Sequence, residues 1–242
     1  MITEAASLLH EAIDAHGGLD LWRSHQGVAS TIVTGGILWE IKGVSIIRTP
    51  RRATSEFHRQ WTRMTPFGDP DWTMTWTPEH IEVADGQGKI IAQRDNGRES
   101  FDRSYDAPWD PLNLAYFNGY AMWTYHATPF VLAEPGYEAR EIQPKVHDGE
   151  MLRGVAVRFP KDVHSHTREQ RFYFGQDGLI RRHDYEVDVW ANMPATHFLS
   201  DYVDVNGLKF PRRRSAFVCR PDGTPDREMN LVTIDLSDYT LL

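Results

Sequence analysis

Hydrophobic positions along this chain change period twice, and the changes divide it into three stretches. In the first, Ala5, Leu8, Leu9, Ala12 and Ile13 recur at helical spacing, which predicts an amphipathic helix over about residues 3–16. Thr3 is its expected N-cap and Gly17-Gly18 its stop. A short turn over 19–22 should fold Leu19 and Trp22 back onto the core. From Val28 onward apolar and polar residues alternate, predicting strands over 28–41, 44–47, 53–61, 72–76 and 80–84. Thr49-Pro50, the run from Pro66 to Pro70, and Asp85-Gly86 punctuate them. Residues 94–108 are polar and irregular and read as a surface loop.

A different element starts at Asp110-Pro111, an acidic N-cap followed by proline at the first helical position. The helix it predicts, about 111–127, is apolar around nearly its whole circumference, and such a helix is buried on most sides. Beyond it lie seven more candidate strands, over 137–146, 151–159, 167–174, 179–190, 196–205, 208–219 and 227–236. Asp148-Gly149, Asn206-Gly207 and Asp222-Gly223 supply the positive-φ residues that tight hairpin turns need. One buried helix among many strands predicts a single domain, 1–242, mainly β with α. Its curved antiparallel sheet, a half-barrel of roughly ten strands, wraps a central helix and follows an N-terminal helix.

Composition narrows the function classes. The formal charge of −8 opposes binding to nucleic acid or to an anionic membrane surface. No run approaches the roughly 18 apolar residues of a membrane span. The first residues lack a basic and apolar leader, which leads to an expectation of a cytoplasmic protein. Phosphate-loop, His-Glu-x-x-His and Gly-x-Ser-x-Gly motifs do not occur in the sequence, and the expectation is of no cofactor and no metal. A metal site built on His164 and His166 would need further ligands brought in by tertiary folding, and His164-Ser165-His166 reads as an exposed loop. Aromatics make up 12% of the chain, enough to line a cavity as well as to populate strands.

Candidate chemistry lies in the late hairpins. Over 179–190 the odd positions are the apolar set, so His183 and Tyr185 should point inward. In the next strand His197, Leu199, Asp201 and Val203 share a face, though alternation alone does not say which face is inner. If that face is inward, His183, Tyr185, His197 and Asp201 converge, a histidine serving as general base and a tyrosine as donor to an oxyanion. A buried hydrogen-bond network without catalysis would use the same residues. Arg213 and Phe217 on a third strand could face an anionic aromatic ligand. Tyr116, Tyr120 and Trp123 lie near one face of the central helix, and Trp39 and Trp76 could form the opposite wall, with core contact as the alternative.

Four segments carry a resemblance: the residues from Ala15 to Trp22, those from Leu114 to Trp123, those from Arg181 to Tyr185, and Gly207-Leu208-Lys209-Phe210-Pro211. Together they resemble a widespread bacterial family across most of the chain. The architecture is similar to the half-barrel of LolA-like carriers and of VioE-like proteins, the latter represented by a cofactor-free enzyme of violacein biosynthesis. That resemblance implies a fold and a pocket. The function expected is binding of a small apolar or aromatic molecule, with cofactor-independent isomerisation, cyclisation or dehydration. The alternative is a non-catalytic carrier for a lipid or hydrophobic metabolite. A structural or partner-binding module would instead show a filled core and one large exposed apolar patch.

Overall fold

A computed structural model of the chain describes residues 4–45 and 49–242. The expected N-cap Thr3 and part of the expected strand 44–47 lie outside the described residues. Helix α1 (Glu4–Ala15) buries Ala5, Leu8, Leu9, Ala12 and Ile13, the stripe its spacing predicts. Gly17 and Gly18, both at positive φ, end it. A Cβ on Gly17 would collide with the carbonyl of Gly207, where the chain passes against a hairpin turn. Helix α2 (Leu19–Arg23) follows and buries Trp22.

Among the described residues thirteen strands form one antiparallel sheet. They are β1 (Gly27–Gly35), β2 (Arg51–Glu56), β3 (Thr62–Thr65), β4 (Thr73–Trp76), β5 (His80–Ala84), β6 (Ile90–Asp95), β7 (Glu138–His147), β8 (Glu150–Arg158), β9 (Glu169–Phe174), β10 (Ile180–Val187), β11 (Met193–Val205), β12 (Leu208–Cys219) and β13 (Pro225–Leu241). Their spatial order is β6-β5-β4-β3-β2-β1-β13-β12-β11-β10-β9-β8-β7, with β6 and β7 as unpaired edges. Roughly ten strands were expected. The difference arises partly because the expected strand 53–61 ends at Glu56 and β3 follows it at 62–65, where none was expected, and partly because the largely exposed β6 carries no apolar face.

The stretch 28–41 is not one strand either. Gly35-Gly36 ends β1, and Leu38–Ile41 forms a short helix, α3, that buries Leu38 and Trp39. Lys42, just after it, has no exposed surface and donates from Nζ to the carbonyls of Ser104, Tyr105 and Ala107. Its ammonium also lies 4.9 Å from the ring centre of Trp190 and 5.5 Å from that of Trp109. Burial lowers its pKa to about 8. The expected surface loop over 94–108 is therefore tied inward at this point.

Helix α4 (Pro111–Ala127) lies on the concave face of the sheet. Asp110 and Asn113 exchange side-chain and backbone hydrogen bonds at its start, a capping box with Pro111 at the first helical position. Every residue from Leu112 to Ala127 is buried. At its far end the Tyr125 carbonyl has Pro129 where its helical partner would stand, and proline has no N–H to donate. The guanidinium of Arg214 fills that role from β12 at 3.0 Å.

Gly119 marks the tightest contact between α4 and the sheet, because a Cβ there would collide with the Trp76 indole. Helix propensity alone would make Gly119→Ala stabilising by about 1 kcal/mol. The collision reverses the sign: we expect a net loss of about 1–3 kcal/mol from overpacking. It should be read as a lower urea midpoint at unchanged slope.

Candidate functional site

The second half of the sheet presents its inward side chains to α4, and there the polar residues gather. His183 on β10 is directly opposite His197 on β11 and Phe172 on β9. The His183 ring stacks on Phe172 at 4.2 Å and lies 6.2 Å from His197. Tyr185, two residues on, stacks against His166 at 4.0 Å with the rings 8° apart. From α4, the Tyr125 hydroxyl reaches His166 Nε2 at 2.9 Å and the Tyr185 hydroxyl at 3.4 Å. Its ring meets His197 edge-on at 4.9 Å. The structure thus brings His183, Tyr185 and His197 together in a seam between α4 and the sheet.

Gln170 fixes the histidine tautomer. Its amide nitrogen donates to the Thr167 carbonyl and to Ser165 Oγ, both at 2.8 Å. Its oxygen must then accept from His183 Nε2 at 2.7 Å, which places the proton on Nε2. Burial holds His183 and His197 well below the usual histidine range and lowers His166 to about 3. It raises Tyr185 and Tyr120 well above the usual phenol range. The seam is a set of neutral donors and acceptors.

Asp201 does not join it. Register with β12 is unbroken from Leu199↔Arg214 and Ser200↔Arg213 to Tyr202↔Pro211, and between these pairs Asp201 takes a left-handed φ of 58°. Its side chain is at the surface, 2.9 Å from Arg212. Arg213 is also exposed, opposite Asp235 on β13, and the inward arginine of that strand is its neighbour Arg214. Phe217 lies on the convex side with Phe198, 6.1 Å away, and the guanidinium of Arg227 lies over it. No carboxylate among the described residues hydrogen-bonds or ion-pairs with His166, His183 or His197. An acid–base pair of the expected kind is therefore missing its acid.

The aromatic residues around α4 fill the concave face. Trp76 meets Tyr116 edge-on at 6.0 Å, and Trp39 meets Phe117 at 6.2 Å. The Tyr116 hydroxyl bonds His164 Nδ1 at 2.6 Å. Trp123 donates from Nε1 to the carbonyls of Glu56 and Arg59, closing the β2–β3 turn. His164-Ser165-His166, expected as an exposed loop, dips inward: His166 is fully buried and Ser165 bonds Thr124 on α4. Sequence reasoning missed His166, Gln170 and Arg214. Arg214 alternates with Ala216, which is opposite His197, so taking the even face of that strand as inward would have found it.

Several buried polar atoms in and beside this seam have no hydrogen-bond partner among the described residues. They are Tyr120 Oη, His166 Nδ1, His197 Nδ1, Arg214 Nε and, beneath the end of α4, His16 Nε2. Beside the same end of α4 an apolar cleft of about 310 Å³ opens between α2, the β2–β3 turn and the short 3₁₀ turn Phe130–Ala133. Trp22, Phe57, Trp123, Val131, Tyr137 and Val163 line it, with His58, Arg59, Gln60 and Glu134 as its polar members. A larger groove of about 630 Å³ lies across β7, β9 and β10 near the β12–β13 turn, where Lys145 pairs with Asp184 and Arg171 with Glu186.

Solved structures with this architecture include a LolA superfamily protein. A LolA superfamily protein from Nitrosomonas europaea aligns with TM-score 0.52 and 12% identity over 99% of this chain and 94% of its own. A DUF1329 family protein from Desulfovibrio piger gives 0.53 and 12%, over 98% and 92%. A domain assigned to outer membrane lipoprotein sorting, from Vibrio parahaemolyticus, gives 0.55 and 9%, over 97% and 91%. The sequence matches no protein-family model and no curated protein. At these identities the likeness defines the fold: a LolA-like half-barrel, one large curved, unclosed antiparallel sheet with a helix inside it.

The neutral histidines set an acid limit on stability. His16, lowered to about 4, and His126 and His166, lowered to about 3, are joined by His183 and His197. Above about pH 6.5 these groups are neutral in both folded and unfolded chains and cost nothing. Below it only the unfolded chain takes up protons, so stability falls by about 1.4 kcal/mol per pH unit for each. We expect acid unfolding that begins near pH 6 and takes up several protons per molecule. Circular dichroism across pH 7 to 4, with unfolding free energies at each pH, measures it; a flat profile down to pH 4.5 would contradict neutral burial.

Proposed function

We propose that this chain is a binding protein or carrier for a hydrophobic small molecule, admitted through the apolar cleft at the C-terminal end of α4. The observation that carries this reading is the cleft itself. Its six apolar and aromatic walls come from four separate segments, and it opens beside a helix that has no polar face. A helix held by apolar contact on all sides can exchange some of those contacts for a ligand without stranding polar groups. The relatedness in fold to a LolA superfamily protein and to a lipoprotein-sorting domain supports the same reading.

Two alternatives have less support. Catalysis by His183, Tyr185 and His197 lacks a carboxylate to orient or recharge the histidines, because Asp201 is on the surface. An interaction module needs one continuous apolar patch. The exposed large apolar side chains instead include Ile90 and Ile91 on β6 and Val146 and Met151 near β7, at opposite edges of the sheet.

Trp22 and Trp123 in the cleft provide the test. Titration with a brominated ten-carbon alkyl chain should quench tryptophan emission saturably. Val163→Arg, which puts a charge on a half-buried wall of the cleft, should weaken the affinity at least about tenfold. Native mass spectrometry of freshly purified protein should show a bound organic species released by solvent extraction. Unsaturable quenching, or equal affinity in the variant, would remove the cleft as the ligand site.

A further inference from the structure

Phe172 on β9 and His183 on β10 point inward, so their alternates Tyr173, Arg182 and Asp184 point to the convex face of the sheet. All three are nonetheless buried, at 2%, 4% and 4% exposure. Two segments cover them. One is the end of β7, which reaches across through Lys145 just after the irregularity that carries Gln143 and Pro144. The other is the β12–β13 turn, whose Gly223 carbonyl accepts from Arg182 Nη2 at 2.7 Å. The groove of about 630 Å³ runs between these two segments, with Lys145, Tyr173 and Asp184 in its lining.

Charge in this groove does not balance. Asp184 accepts from Lys145 Nζ at 2.8 Å on one oxygen and from Arg182 Nε at 2.7 Å on the other. Among the described residues neither cation has a second carboxylate within ion-pair distance. The remaining charges pair off, Arg140 and Arg171 with Glu169 and Glu186, and Arg220 with Asp226. Asp222, at the tip of the turn, accepts from Thr224 and does not line the groove. One positive charge is left over, in a chain whose formal charge is −8.

Arg182 and Asp184 alone would neutralise each other, so the surplus belongs to Lys145. It is also the accessible member, with its side chain 31% exposed against 4% and 5% for the other two. An ammonium has three donors, and Asp184 takes one of them. Pro144, Pro194, Pro221, Ile142 and Ala195 make much of the remaining lining apolar. Free donors on a surplus cation, set in a groove with apolar walls, match an anion with an apolar body.

We propose that this convex groove is a second ligand site and that it takes a small organic carboxylate, whose acid group pairs with Lys145 while its body rests on the apolar walls. A single negative charge makes the group of Lys145, Arg182 and Asp184 neutral, which favours a monoanion over a phosphate dianion. The groove and the cleft beside α4 share no lining residue, so this site stands independently of the carrier reading.

Benzoate, benzyl alcohol and benzylammonium share a ring and differ in charge. Ligand line broadening in NMR titrations of the full chain gives their affinities at pH 7.5 and about 0.15 M salt, where distant surface charges are screened. Benzoate should bind at least about tenfold more tightly than benzyl alcohol, and benzylammonium more weakly than either. Cys219, the only cysteine, lines the groove and reports the location. Benzoate should slow its reaction with the neutral disulfide dithiodipyridine, with half the effect at the concentration that half-saturates the titration. Lys145→Gln should erase the advantage of benzoate over the alcohol, and Lys145→Arg should keep part of it. Arg213→Gln, at an exposed arginine outside the lining, should leave the advantage unchanged.

Equal affinity for benzoate and benzyl alcohol in the wild-type chain overturns the proposal, and that comparison needs no variant. An advantage that persists in Lys145→Gln overturns it too, as does bound benzoate that leaves Cys219 fully reactive. Tighter binding of phenyl phosphate than of benzoate would overturn the choice of a monoanion. Benzoate should not displace the brominated alkyl chain from the cleft; displacement would put both ligands in one place and remove the second site.

Discussion

Helix α4 has no face left for water, and the shape of the molecule follows from enclosing it. Its apolar circumference demands cover on every side, which a flat sheet cannot give and a curved one can. Strands β2 to β6 approach it from one side, where Gly119 lets Trp76 sit directly against the helix backbone. On the other side the rings of His166, just ahead of β9, and His197 on β11 meet Tyr120 and Tyr125. Its ends are fixed by polar devices: the Asp110 box with Arg94 on the acidic side, and Arg214 on the Tyr125 carbonyl.

Enclosure has an electrostatic consequence. Five histidines and several tyrosines are carried inside with the helix, and burial keeps them uncharged. Hydrogen bonds such as His126 to Ser30 and Ser55, both at 3.0 Å, keep that neutrality inexpensive. Arg214 carries its charge into this seam, held by the Tyr125 ring and carbonyl. The outer face handles charge in the ordinary way, with pairs such as Arg182–Asp184 and Arg212–Asp201.

Much of this was legible in the sequence because local signals and tertiary need agree. The Asp110-Pro111 start, the apolar circumference of α4, and the Asp148-Gly149 and Asn206-Gly207 turns each read the same way in chain and fold. Inward placement of His183 and Tyr185 followed from plain alternation in β10. The errors occur where alternation breaks. A left-handed backbone at Asp201 turns a carboxylate outward, and on β12 the inward face carries Arg214 and Ala216 rather than Arg213. The loop carrying His166 is polar in composition yet buried, because Thr124 and Gln170 bond Ser165 Oγ and Tyr125 bonds His166 Nε2. No periodicity encodes that arrangement; it comes from partners distant in sequence.

Strand order has a consequence in time as well as in space. β1 to β6 form one meander and β7 to β13 another, each built largely from neighbours in sequence, and they join only where β1 pairs with β13. That seam is in the middle of the sheet, linking residues near 28 to residues near 241. Such a closure has a high loop-entropy cost and is slow relative to the hairpins around it. On a ribosome the first meander and α4 would emerge with half their cover absent, until β13 follows and zips the halves together. In this half-barrel the strand that comes last in chain order is the keystone of the sheet, set at its centre.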